Sequence, residues 1–193
     1  MTDQRDTQSS SVRTGLIIAA ALAAALIVWL LVSGGDDEPD APSEPLAAAG
    51  SALPAQEPTA ISVEELRELG TKQVIYWAGE QPGTKLEFEV TETGNVFVRY
   101  LDEEAEIGTK DQDYLTVGTY PADQAYELLQ AQAKKTGAQT EEIADGGLVM
   151  VLEGQPQSVY VAFSGTNYQV EVYDPDEDEA LDLALSEQLE PVS

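Results

Sequence analysis

One stretch of this chain belongs in a different solvent from the rest. Residues 16–32 read LIIAAALAAALIVWLLV, without a charged or strongly polar side chain. Wound as a helix, residues 15–33 span about 28 Å, which matches the hydrocarbon core of a bilayer. The expectation is a single transmembrane helix over 15–33, so that everything after Ser33 must fold separately in water. Direction follows from the flanking bases, because Lys and Arg resist translocation. Arg5 and Arg13 precede the run and the next base is Arg67. The tail at 1–14 is therefore expected in the cytoplasm and the rest outside the cell membrane, with Trp29 near the outer headgroups. A cleaved signal peptide is the competing reading, but its apolar region is ordinarily about 7–15 residues long. Val32-Ser33-Gly34 is also a poor cleavage site. Gly15, Ala19 and Ala23 put small residues on one helix face, a spacing that can bring membrane helices together but arises easily in an Ala-rich run.

Residues 34–60 hold five of the ten prolines and six acids with no base. A Pro-rich, self-repelling chain extends, and this one reaches up to about 80 Å as polyproline II. It reads as a disordered acidic linker between bilayer and domain. The formal charge of the whole chain is −27, and residues 61–193 carry 28 acidic against 7 basic side chains, a formal −21. Such a surface repels nucleic acid, which is bound by neutralising phosphates with Lys and Arg, and favours a cationic partner.

From residue 61 the pattern is that of one domain. Ser62 with Glu65 three residues on forms a capping box for a short helix ended by Gly70. Strands follow at 74–77, 85–91, 96–101 and 114–120, rich in β-branched and aromatic residues, with Thr93-Gly94-Asn95 as a hairpin tip. Leu86, Phe88 and Val90 alternate with Lys85, Glu87, Glu89 and Thr91, so one face of the sheet is expected dry and the other solvated. Ala122, Ala125, Tyr126, Leu129 and Ala133 recur at helical spacing between Pro121, read as a helix start, and Gly137, read as its stop. A second series runs through strands at 139–143, 148–152, 159–163 and 168–173 to a helix over 175–189. The two halves are alike in outline, each a run of strands closed by a Tyr-rich strand, a Pro and a helix. The chain is read as a transmembrane helix followed by an α+β domain over 61–193, an antiparallel sheet with helices packed on one face and a pseudo-repeat of strands followed by a helix.

The strings YWAG (76–79), PGTKLEF (82–88), VFVRYL (96–101), YLTVGTYP (114–121) and YQVEVYDP (168–175) resemble an uncharacterised family of single-pass, membrane-anchored extracytoplasmic proteins of actinobacteria. The resemblance covers about residues 73–189. It implies a place in the cell envelope, with no assigned activity and no functional residues.

The chain has no Cys and no His. That removes disulfides, lipid-modified cysteine anchors, zinc–thiolate sites, cysteine nucleophiles and every triad or metal centre built on imidazole. Carboxylates remain, and a glycosidase needs two at a set separation. Acids such as Glu87 and Glu171, however, read as ordinary solvated groups on a wet strand face, and nothing calls for a cofactor. In Asp174-Pro175-Asp176-Glu177-Asp178-Glu179, the carboxylates of Asp174, Asp176 and Asp178 are the metal candidates. Counted as an EF-hand loop, the run fails where Gly and a bidentate Glu are required. Asp174 as N-cap, Pro175 as first helical residue and Glu177 as capping-box partner explain the same run without a metal. Tyr76, Trp77, Tyr100 and Tyr114 are the candidate ligand or partner face, against the alternative that such rings fill the sheet's core and rim. The acidic loop 102–113 reads as a solvated loop, although its length and charge also suit a basic partner.

These features describe an anchored, non-catalytic domain that binds an envelope protein or ligand. A structural envelope component without a ligand and a carboxylate-based glycan enzyme are the alternatives. The anchor is tested by carbonate extraction: full-length chain is expected in the membrane pellet, with its acidic domain open to added protease on intact cells. Release into the supernatant would refute the span.

Overall fold

The computed structural model describes residues 53–193. The tail at 1–14, the expected span at 15–33 and the linker as far as residue 52 lie outside the described residues. None of the helices among the described residues is long and apolar enough to cross a membrane.

The elements run in the order β1 (Gln56–Ile61), α1 (Val63–Gly70), β2 (Tyr76–Trp77), β3 (Thr84–Val90), β4 (Val96–Asp102), β5 (Thr116–Pro121), α2 (Ala125–Thr136), β6 (Gln139–Ile143), a 3-10 turn (Ala144–Gly146), β7 (Gly147–Val151), β8 (Ser158–Phe163), β9 (Tyr168–Tyr173), α3 (Glu177–Leu185) and β10 (Glu190–Pro191). Eight strands form one antiparallel sheet in the order β1-β3-β4-β5-β9-β8-β7-β6. Read outward from the junction of β5 with β9, each side is a four-stranded meander, and each central strand leads into a helix.

Local signals account for most element ends. Ser62 accepts the Glu65 N–H while the Glu65 carboxylate accepts the Ser62 N–H at 2.9 Å, the complete capping box of α1. The β3–β4 hairpin turns at Gly94, whose φ of 83° favours a residue without Cβ. Gly137 ends α2 in the left-handed conformation, as expected.

Two helix starts differ from the sequence reading. Pro121 is the last residue of β5, paired with Tyr168, and the Ala122 N–H still bonds to the Asn167 carbonyl at 2.9 Å. Strand pairing holds the chain extended, so α2 begins at Ala125. In the acidic run, Asp174 accepts the Asp176 N–H at 2.8 Å in an Asx turn, and Asp176 is the N-cap of α3, accepting the Asp178 N–H at 3.1 Å. The end of the expected linker also departs from the reading. Residues 56–60 belong to β1, which pairs with β3 through Thr59–Phe88 and Ile61–Leu86 and so gains an ordered ladder that composition alone does not show.

The helices lie on both faces of the sheet, not on one. Val159 and Val161 of β8 join Ala180 and Ala184 of α3 in a large core that also takes Leu66 of α1, Phe88, Val98, Val117 and Val172. Tyr160 and Ala162, on the other side of the same strand, pack with Ala125, Leu129 and Ala133 of α2. The physical reason is written in β7 and β8: GLVMV and SVYVAF are apolar on both faces, and each face needs a cover. On the larger core's side, β2 and β10 form a two-stranded ribbon, and the Val192 N–H bonds to the Ile75 carbonyl at 2.8 Å, tying the C-terminal end to the first half.

Leu129 is fully buried between α2 and the second half of the sheet. Leu129→Ala is expected to cost about 2–5 kcal/mol of stability, read from denaturant unfolding of the full chain in neutral detergent. A loss near zero would mean that α2 does not pack there.

Candidate functional site

The α2 face of the sheet is covered over β7, β8 and β9, where α2 makes its strand contacts. Over β3, β4 and β5 that face instead forms the floor of a cleft of about 260 Å³. Strand register lays the floor out in rows across the sheet. One row runs Glu87–Arg99–Thr116–Tyr173–Ser158 and the next Glu89–Phe97–Gly118–Glu171–Tyr160. Successive members of a row face the same side, because side chains alternate along each strand and register aligns them between strands. The loop after β4 contributes Thr109 to Gln112 as one wall, and the loop after β7 contributes Gly154, Gln155 and Gln157 as another. Both halves of the domain thus supply the floor.

The first wall is pinned by a buried ion pair. Glu87 and Arg99 stand directly opposite each other on β3 and β4, with Arg99 Nη1 2.7 Å from Glu87 Oε1. Their side chains are 1% and 12% exposed. Arg99 also donates to the carbonyls of Thr109 at 2.9 Å and Asp111 at 2.8 Å, and Glu87 accepts the Gly108 N–H through its second oxygen. Tyr173 donates to the Gln112 carbonyl at 2.8 Å. The acidic loop is therefore a fixed wall of the cleft at 108–112.

Glu171 is the buried carboxylate of the floor, only 5% exposed. Tyr120 donates to its Oε2 at 2.6 Å. Burial pushes the Glu171 carboxyl above the usual carboxylate range, and polar groups of Tyr120, Ser158 and Tyr160 oppose that shift. Burial beside Glu171 drives the Tyr120 phenol well above its ordinary value. Glu89 is also raised, first by burial and then by Glu57 and Glu87, against the pull of Arg99.

Gly118 makes this arrangement possible. A Cβ there would lie 2.8 Å from the Tyr120 hydroxyl and 2.9 Å from a ring carbon, so the Tyr120 ring folds back over the glycine and reaches Glu171 in the adjacent strand. Phe97, on the other side of Gly118, meets the same ring edge to face at 5.7 Å.

The residues singled out from sequence are placed elsewhere. Tyr76, Trp77 and Tyr100 are buried in the larger core rather than displayed on a face. Tyr76 stacks on Phe163 at 5.5 Å, and the Tyr100 hydroxyl accepts the Ala78 N–H at 2.7 Å. Tyr114 is half-buried, with the Arg99 guanidinium 5.9 Å from its ring centre. Asp174 and Asp176 accept backbone N–H groups at the start of α3, and Asp178 is exposed. Among the described residues no group of three or more carboxylates gathers as a metal site.

Glu87 and Glu171, read from sequence as solvated acids, are the two acids buried among the described residues. Two signals bore on them. The strands VYVAF and LVMV, apolar on both faces, imply that a neighbouring strand is covered on both sides too, and Glu171 lies in that neighbour. A glycine inside a strand, as in TVGTY, marks a close approach.

The fold is thus an α+β domain built on one large antiparallel sheet, with a cleft at the junction of its halves. No family model, curated protein or solved structure matches the chain.

The raised carboxyl of Glu171 has a pH consequence. The folded state holds this proton at pH values where the unfolded chain has released it, so its contribution is full below the ordinary carboxylate range and lost as pH rises through the raised value. Glu89 and Asp174, also raised by burial, act in the same direction. The melting temperature is expected to rise on going from pH 7 to pH 5, and to rise less in Glu171→Gln. Equal slopes in thermal melts of the two chains would contradict the assignment.

Proposed function

We propose that this chain is a membrane-anchored binding protein of the cell envelope. Residues 15–33 hold it as a single span, and the cleft over β3, β4 and β5 receives a ligand or a side chain of a partner protein. The observation that carries this reading is the cleft itself: a concave floor with aromatic and polar groups drawn from both halves and walls held by hydrogen bonds. Its volume lies just below the usual range for small-molecule pockets, which favours a small ligand or a single side chain.

A walled cleft with a buried carboxylate in its floor favours a binding role over a purely structural envelope component.

The reading is tested by protein-observed NMR on the full chain in neutral detergent, titrated with a panel of neutral, anionic and cationic fragments. Shifts are expected to concentrate on the amides of Phe97, Gly118, Gln155 and Tyr173. A panel that leaves all four unmoved would overturn the cleft as a binding site.

A further inference from the structure

The cleft's polarity points to one class of ligand. Its lining includes the carboxylates of Glu89, Asp111 and Glu171. The positive charge facing them is largely committed: the Arg99 guanidinium is directed at Glu87 and at two carbonyls of the wall. Lys110, exposed to solvent, also lines the cleft. An anion entering here would meet carboxyl groups, whereas a cation would supply the opposite charge that the Glu171 carboxyl does not receive from Tyr120.

The rings around Glu171 add a second, independent preference. Phe97, Tyr120 and Tyr173 line the same cleft, and aromatic faces attract cations through their quadrupole, most strongly where water is excluded. A metal ion fits poorly, because hard cations take six or more oxygens, whereas one Glu171 oxygen already accepts the Tyr120 hydroxyl and no group of three carboxylates gathers among the described residues. A compact organic cation on an apolar stem satisfies both features, with its charge beside Glu171 and its methylenes against the rings. The formal −21 of residues 61–193 would steer such a cation toward the domain.

We propose that the cleft binds an aliphatic ammonium group, as carried by a lysine side chain or a free alkylamine. The inference rests on the reading of the cleft as a binding site. Glu171 supplies the counter-charge, Tyr120 holds that carboxylate in place, and Phe97 and Tyr173 flank the stem.

The test titrates the full chain in neutral detergent with n-butylammonium chloride, 1-butanol and sodium butyrate, following the Gly118 and Glu171 amides by NMR. Butylammonium is expected to bind about tenfold or more tightly than butanol, in keeping with a charge-assisted contact, and to weaken as sodium chloride is added. Butyrate is expected not to bind. Glu171→Gln, which keeps the shape and can still accept the Tyr120 hydroxyl, should lose most of the preference for butylammonium over butanol.

Nα-acetyl-lysine N-methylamide then separates the two sources. Binding at least as tight as butylammonium marks a lysine of a partner protein, and weaker binding marks a free amine; both support the ammonium site. Butanol or butyrate binding the cleft as well as butylammonium would overturn the inference while leaving a binding cleft in place. An unchanged preference in Glu171→Gln would overturn the role of that carboxylate. Silence from every fragment would remove the binding reading itself.

Discussion

The pairing of β5 with β9 is the contact on which the rest of the molecule depends. It joins two four-stranded meanders into one eight-stranded sheet, and six residue pairs from Thr116–Tyr173 to Pro121–Tyr168 hold the seam. A meander ending in an open edge has unpaired backbone groups and one uncovered face. Joining the two central edges removes that liability where the strands are most buried. The seam also brings Gly118 opposite Glu171, so the pairing that completes the sheet creates the cleft's floor.

The symmetry about the seam is broken by the helices, and the break leaves the cleft open. The helix after β5 crosses to cover β7 and β8 on one face. The helix after β9 takes the opposite face, with Ala180 and Ala184 in the larger core. Over β3, β4 and β5 the α2 side of the sheet is walled by loops. Those strands carry Glu87, Glu89 and Arg99 there, a composition that could not pack under an apolar helix.

Two buried carboxylates in this floor are handled in different ways. Glu87 is matched by Arg99 directly across the strands, and the pair organises a loop as well as the sheet. A buried ion pair adds little net stability over an apolar replacement, but losing one partner strands a charge at a cost of about 3–5 kcal/mol. Glu171 has a phenol instead of a cation: Tyr120 donates a hydrogen bond without supplying charge, so burial dominates and the carboxyl is raised. Of the two carboxyls, one is matched by a cation and serves as architecture, while the other is met by a phenol.

The order of elements was largely legible in the sequence because its signals are short-range. The Ser62–Glu65 capping box, the Gly94 turn, the Gly137 stop and the alternation of Leu86, Phe88 and Val90 each act within a few residues. They identify strands and helices, while charge and hydropathy mark an acidic domain and carry the expectation of a membrane segment before it. What they cannot carry is which face a helix covers or which strands become neighbours. Pro121 is held out of its expected role by strand pairing, and Asp174 closes an Asx turn one step before the cap at Asp176. Tyr76, Trp77 and Tyr100 look like a display of rings until the β2–β10 ribbon and the larger core enclose them. Glu87 and Glu171 look solvated until partners distant in sequence cover them, Tyr120 meeting Glu171 across 51 residues. Local chemistry determined the parts and their charge. Tertiary pairing alone decided the seam, the two covered faces and the buried carboxylates, because register between remote strands depends on packing that no short stretch of chain encodes.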